Sequence, residues 1–293
     1  MIRLAIRVPR ERAEEVLAEL LELAPAGVEE VVADGGAKVE FAVYGSPGEI
    51  PTLPDLDAAF AGTLLEISTS ELPDDWHERW KDFHRPIVIA SPPGASGAAA
   101  LALRIRPPWE PPAAGSWREV VIDPGQAFGT GAHASTRLCL ELLLDALASG
   151  EIAGPGPLLD VGAGSGVLAI AAGLLGFAPL LALDNEAESV AAARENAAVN
   201  GVALESRRFD LRSDGLPWPA APGQTLVFAN LLRPLLLLLA GALDEPPAHL
   251  IASGLLQHEA DEIADVFAER HGMREGARRV SGDWAALRLQ RVA

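Results

Sequence analysis

The hydrophobic positions of the chain follow two rhythms in turn. Ile2–Val8 alternates apolar and polar residues and predicts a strand, whereas Arg10–Leu23 repeats its apolar residues at helical spacing with acids on the polar face. Gly27–Ala33 and Ala37–Val43 read as two strands around Asp34-Gly35-Gly36, a hairpin signal. Pro54–Ala61 reads as a short helix and Thr63–Ser68 as another strand. The order β-α-β-β-α-β predicts a small ferredoxin-like α+β unit over residues 1–70. That architecture serves many functions and by itself assigns none.

Residues 71–95 read as a connector. Trp76, Trp80 and Phe83 stand at helix-like spacing within it, a stripe of the kind that packs a linker onto a domain. Ala99–Arg106 and Trp117–Ile122 are strand-like and are joined by the proline-rich loop Pro107–Pro112. From about residue 133 the rhythm becomes strand–helix alternation. Strands are expected at Pro157–Val161, Leu180–Leu183, Thr225–Ala229 and His249–Ser253. Helices are expected at Ser165–Leu175, Ala187–Val199, Pro234–Leu243 and Glu259–His271. Repeated βα units imply a mostly parallel sheet with helices on both faces. Arg274–Val280 and Trp284–Gln290 follow without a helix between them and predict an antiparallel edge.

Composition narrows the function classes. The 293 residues suit two domains, and the 49% hydrophobic content suffices for a sizeable core. The longest apolar stretch, Leu231–Leu243, is interrupted by Arg233, Pro234 and Gly241, so no membrane span is expected. The alternating N-terminus has no long apolar segment of the signal-peptide type. A single cysteine, Cys139, excludes an internal disulfide and fits a reducing cytoplasm. The formal net charge of −18 disfavours a nucleic-acid partner and suits a basic protein. The six histidines are scattered, with no metal-ligand spacing. A monomer is expected.

The residues that carry chemistry follow the first strand of the alternating region. Asp160-Val161-Gly162-Ala163-Gly164-Ser165-Gly166 ends an apolar strand and opens a helix. Glycines there let the backbone turn sharply and approach a ligand closely. The third glycine comes one residue too early for a dinucleotide fingerprint. Asp184 ends the next strand, where a carboxylate can accept one hydrogen bond from each hydroxyl of an adenosine ribose; the other reading is a cap for the following helix. Asp160 can orient the loop or accept from an amine of the ligand. Asn230 follows Leu226-Val227-Phe228-Ala229 at the same edge of the sheet. Its amide oxygen can accept from an amine nucleophile, or its side chain can cap the next helix.

The glycine loop and Asp184 together resemble the nucleoside-binding half of class I S-adenosylmethionine methyltransferases. Asp123-Pro124-Gly125-Gln126-Ala127-Phe128-Gly129-Thr130-Gly131-Ala132-His133 is similar to the signature of the ribosomal protein L11 methyltransferase family. Thr136 keeps the last residue of that family's Pro-Thr-Thr, while Ala134 and Ser135 replace the first two. Trp80-Lys81-Asp82-Phe83, Arg194-Glu195-Asn196-Ala197-Ala198-Val199-Asn200-Gly201 and Asn230-Leu231-Leu232 extend the likeness over nearly the whole chain. Arg233 stands where the family has a small residue, and Ala163 where it commonly has cysteine.

The resemblance implies a seven-stranded Rossmann-like methyltransferase domain over 96–293, joined by a Trp-rich linker at 71–95 to the domain that recognises the substrate. It implies S-adenosylmethionine held by Phe128, Thr130, Thr136, Asp160, Gly162, Gly164, Asp184 and Asn230, with Asn230 also positioning the amine. The implied substrate is ribosomal protein L11, methylated on lysine or N-terminal amines. A different lysine-bearing protein, or a silent cofactor-binding module, remains the alternative.

Overall fold

The computed structural model describes residues 2–13, 16–17, 20, 23–24, 28–33, 37–45, 50–52, 56, 66–71, 84–91, 101–124 and 131–292. The chain divides into two compact units, Met1–Phe83 and His84–Ala293.

In the first unit, β1 (Ile2–Pro9), β2 (Glu29–Ala33), β3 (Lys38–Gly45) and β4 (Glu66–Glu71) form an antiparallel sheet in the order β2-β3-β1-β4. Alternation decides its faces. Leu4, Ile6, Val8, Val39, Phe41 and Val43 are buried in one core with Val16, Leu20 and Leu56. The opposite face carries Arg3 and Arg7, both paired with Glu40. Each of the four strands overlaps one expected from the sequence. Of the expected helix at Arg10–Leu23, the described residues Ala13, Val16, Leu17, Leu20 and Leu23 are helical, whereas Pro54–Ala61 apart from Leu56, the Asp34-Gly35-Gly36 turn and the Trp76/Trp80/Phe83 stripe lie outside the described residues. Arg10–Arg12 forms a 3-10 turn.

The second unit opens inside the stretch read as connector. β5 (Ile87–Ala90), β6 (Ala102–Arg106) and β7 (Arg118–Val121) make a three-stranded sheet, antiparallel between β5 and β6 and parallel between β6 and β7. Then come α1 (Ala134–Ser149), β8 (Leu158–Val161), α2 (Val167–Leu174), β9 (Leu180–Asp184), α3 (Ala187–Val199) and β10 (Leu204–Arg208). The chain continues through β11 (Leu226–Asn230), α4 (Arg233–Ala242), β12 (His249–Leu256), α5 (Ala260–His271), β13 (Met273–Ser281) and β14 (Trp284–Arg291).

The large sheet has seven strands in the order β10-β9-β8-β11-β12-β14-β13. Strands β8 to β12 run parallel, and β14 is antiparallel to both β12 and β13. Strand residues alternate between two cores, Leu158 and Phe228 facing α1 and α2, Leu159 and Val227 facing α4 and α5. This is the expected doubly covered α/β sheet with its antiparallel edge. β5 and β10 carried no clear strand pattern in the sequence. β10 is the sheet's edge, and Leu204-Glu205-Ser206-Arg207-Arg208 has too little apolar surface to alternate. Gly254 lies in a bulge of β12 with φ of 79°; a Cβ there would stand 2.7 Å from the Leu231 carbonyl oxygen.

The chain leaves β8 toward β9 and β10, then returns to lay β11 against β8's other side. Such a reversal opens a crevice beyond the carboxyl ends of β8 and β11, the usual place for a ligand in a sheet of this kind. Among the described residues no helix is long and apolar enough to cross a membrane.

Candidate active site at the carboxyl edge of the sheet

The glycine loop has the conformation its sequence demands. Gly162, Gly164 and Gly166 have φ of 75°, 53° and 79°, where any other L-residue would be strained by about 1–2 kcal/mol. The amides of Gly162 and Ala163 both donate to the Leu183 carbonyl, at 2.8 and 3.0 Å, which ties the loop to the end of β9. A Cβ on Gly162 would stand 2.4 Å from Leu231 Cδ2, and one on Gly166 would stand 3.0 Å from Ala193 Cβ of α3. The glycines thus serve close packing on both sides of the loop.

Asp184 is brought to the loop. Its Oδ2 accepts from the Gly164 amide at 2.8 Å and its Oδ1 from the Glu186 amide at 3.0 Å. It therefore holds the loop and the residue that leads into α3, but it does not cap that helix, whose N-cap is Glu186 with no side-chain cap. Each carboxylate oxygen has further lone pairs, so these bonds leave it able to accept from a ligand hydroxyl.

Beside it opens a cleft lined by the apolar Val161, Leu183, Phe209, Leu211 and Leu231 and by the polar Asp184, Asn185, Asp210 and Arg212, among others. Phe209 and Asp210 were missed by sequence reasoning because they follow β10, a strand whose polar face gave no signal. Once that strand is placed, their position at its carboxyl end identifies them.

Asp160 behaves differently. Its carboxyl is fully buried on the α1/α2 side of β8, with Oδ2 accepting from the Ala169 amide at 3.2 Å. Oδ1 has no hydrogen-bond partner among the described residues. Burial, reinforced by the charge of Asp184, raises its pKa to about 7 against the opposing pull of the Ala169 amide. It lies behind the loop and orients the first turn of α2.

On the other side of the crevice the structure joins two residues far apart in sequence. Asn230 Nδ2 donates to Thr136 Oγ1 at 3.3 Å. Thr136 is buried in the first turn of α1, and Asn230 is half-buried at the end of β11. The N-cap of α4 is Leu232, with no side-chain cap, so Asn230 is not serving as that cap. His133 caps α1 through Nδ1, which accepts from the Ser135 amide at 3.3 Å. Its ring meets Trp284 edge-on at 4.7 Å, and burial lowers its pKa. Arg233 points away from the crevice and forms a two-pronged pair with Glu262 of α5, at 2.6 and 2.5 Å. Phe128 and Thr130 lie outside the described residues.

The site thus has a cleft on the β8–β10 side and a carboxamide–hydroxyl pair on the β11 side. A family model described as Ribosomal protein L11 methyltransferase (PrmA) matches residues 55–292. The chain is 37% identical over 240 residues to the "Ribosomal protein L11 methyltransferase" of Heliobacterium modesticaldum, covering 80% of this chain and 68% of that one. It is 33% identical over 307 residues to the protein of the same name from Bordetella bronchiseptica, covering 92% and 93%. The solved structure of ribosomal protein L11 methylase from Lactobacillus delbrueckii subsp. bulgaricus aligns with a TM-score of 0.54 at 30% identity, covering 70% of this chain and all of that one.

Proposed function

The chain belongs to the ribosomal protein L11 methyltransferase family, and from that premise we propose that it methylates lysine or N-terminal amines of ribosomal protein L11. The observation that carries this reading is the coincidence of the family match with the juxtaposed glycine loop, Asp184 and Asn230–Thr136 pair. S-adenosylmethionine, when bound, supplies an electrophilic methyl group on a sulfonium. The glycines of the loop, which lack Cβ atoms, let its backbone lie against that ligand, while Asp184 accepts from the ribose hydroxyls. Phe209 and Leu211 give the cleft apolar walls.

Asn230 has its Nδ2 committed to Thr136, which fixes the carboxamide plane and leaves Oδ1 as the atom suited to an incoming amine. An N–H of the amine donated to that oxygen turns the nitrogen lone pair toward the reacting carbon. Orientation of this kind supplies much of the rate in a transfer that needs no covalent enzyme intermediate. A substrate ammonium must first lose a proton, and water takes it as the side chain is desolvated in the crevice. Phe128 and Thr130 complete the cofactor's surroundings in this reading, and Asp160 supports it from behind the loop.

The division of labour assigns substrate docking to residues 1–70, a linker role to the residues from 71 up to the start of the second unit, and catalysis to the unit His84–Ala293. The protein's acidity suits a basic substrate and works against a nucleic-acid one.

The test is incubation of the protein with labelled S-adenosylmethionine and purified L11, followed by mass mapping of the modified amines. Label on L11 amines is expected. Label only on another ribosomal protein would reassign the substrate, and no label on any protein would refute transferase activity. A version beginning at His84 is expected to bind the cofactor normally and to lose activity on intact L11; parental activity would refute the docking role.

A further inference from the structure

The buried side chain of Asn196 is used by nothing in the mechanism above, yet it touches both strands of backbone that frame the cofactor loop. It lies on α3, only 4% exposed. Its Nδ2 donates to the Ser165 carbonyl at 3.0 Å, inside the glycine loop, and its Oδ1 accepts from the Asp123 amide at 3.0 Å. Asp123 begins the segment that leads from β7 toward α1. One helical turn later, Asn200 donates to the Asn196 backbone carbonyl at 2.7 Å and makes a comparable double contact with Val121. Its Oδ1 accepts from the Val121 amide at 2.8 Å and its Nδ2 donates to the Val121 carbonyl at 2.7 Å. Asn200 thus pairs with β7 as a neighbouring strand would, whereas Asn196 bridges β7's exit to the loop.

We propose that Asn196 is a positioning residue for cofactor binding, one that holds the glycine loop in its binding geometry and locks it to the backbone at Asp123. The proposal builds on the cofactor assignment made above.

Two physical arguments carry it. First, a loop with three glycines at positive φ has many alternative conformations, and apparent affinity falls by the fraction of time spent outside the competent one. The loop's amides are held from the β9 side by Leu183 and Asp184. The Asn196 bond adds a side-chain contact to its Ser165 carbonyl, on the side facing α3. Second, a carboxamide carries its donor and its acceptor on two separate atoms, so it can bridge two backbone groups that a single hydroxyl could not span. Aspartate would keep the bond from the Asp123 amide but could not donate to Ser165, and alanine would leave both buried backbone groups without this partner. The close approach of Ala193 to Gly166 shows that α3 packs tightly enough here for the geometry to matter.

The test compares Asn196→Ala with Asn200→Ala in the full-length protein. Both remove a carboxamide that holds the β7 exit from α3, so both are expected to lower the melting temperature. Only the first touches the cofactor loop. Titration calorimetry with S-adenosylmethionine and with S-adenosylhomocysteine is expected to show a loss of about tenfold for Asn196→Ala, the scale of one net hydrogen bond. Asn200→Ala is expected to stay near the parental affinity. In turnover, KM for the cofactor should rise for Asn196→Ala while KM for the protein substrate holds.

If Asn196→Ala proves too unstable to purify, Asn196→Asp supplies the readout, with the same direction expected because donation to Ser165 is gone. Parental cofactor affinity in the Asn196 variant, or equal losses in both variants, would overturn the proposal. If the parent protein itself bound neither ligand, the cofactor assignment would fall first and this inference with it.

Discussion

The two sides of the crevice are built on different principles. On the β8–β10 side the backbone itself forms the surface, with glycines at positive φ, amides tied to Leu183, and one carboxylate at a strand end. On the β11 side a side-chain pair does the same duty, Asn230 on Thr136, across a large separation in sequence. Under the proposed function, the first arrangement holds a ligand that is always the same and the second admits a protein amine and lines it up, a task for a few directed polar atoms at the mouth of the crevice. Damage to one side should therefore appear in binding and damage to the other in the chemical step.

The sharpest break in this comparison is expected from Asn230→Ala. Loosened alignment of the amine should lower single-turnover rate by about 100-fold. Stability should fall by no more than about 1 kcal/mol, the net value of one hydrogen bond, since Asn230 does not cap α4. Cofactor affinity measured on the same preparation should hold within a small factor. A variant with near-parental turnover would remove Asn230 from the mechanism.

The binding side is probed by Asp184→Ala. Loss of a charged acceptor for the ribose hydroxyls should weaken S-adenosylmethionine binding by about 1.5–3 kcal/mol. The Gly164 amide also loses its partner, which adds to the effect. At saturating cofactor the single-turnover rate should recover most of its parental value, in contrast to Asn230→Ala. Unchanged affinity by calorimetry would leave Asp184 with only its role as a support for the loop and the residue that leads into α3.

The smallest effect on binding or turnover is expected from Asp160→Asn, whose consequence shows in the pH dependence of stability instead. Folding raises the Asp160 pKa from about 3.9 in the unfolded chain to about 7. Between those values the folded protein holds a proton that the unfolded chain has lost, so this group makes stability decline as pH rises from about 4 to about 7. Above that window its contribution levels off. The asparagine variant lacks this titration, and its melting temperature should exceed that of the parent by a growing margin across the window. The slope of the difference should reach at most about 1.4 kcal/mol per pH unit. Parallel melting curves would show that Asp160 is ionised in both states.

The contrast between the two sides also explains what could be read in advance. The glycine loop and Asp184 were legible because their conformation demands particular residue types next to one another in the chain. The α/β alternation from Pro157 onward was legible because buried parallel strands are almost wholly apolar and their helices carry a strong period. β10 was not, because an edge strand need not be apolar, and with it went Phe209 and Asp210 at its end. β5 was hidden in what looked like a connector, since its four residues are too few for a pattern. The Asn230–Thr136 contact is a product of the sheet's strand order, which no local pattern encodes; only likeness to a family pointed to both residues. Arg233 shows the converse. Its place next to Asn230 suggested a role in the crevice, and the fold instead turns it onto Glu262.

Cys139, the sole cysteine, is wholly buried on α1, and burial pushes its thiol pKa well above the ordinary value. A thiol in that condition has almost no thiolate and no path to a reagent, so maleimides pass it by. The native chain is thereby a ready background for spectroscopy. Leu232, 45% exposed beside Asn230, can be changed to cysteine and labelled alone. A fluorophore at that point would watch the mouth of the crevice in real time and time the arrival of each reactant, without first stripping the protein of competing thiols.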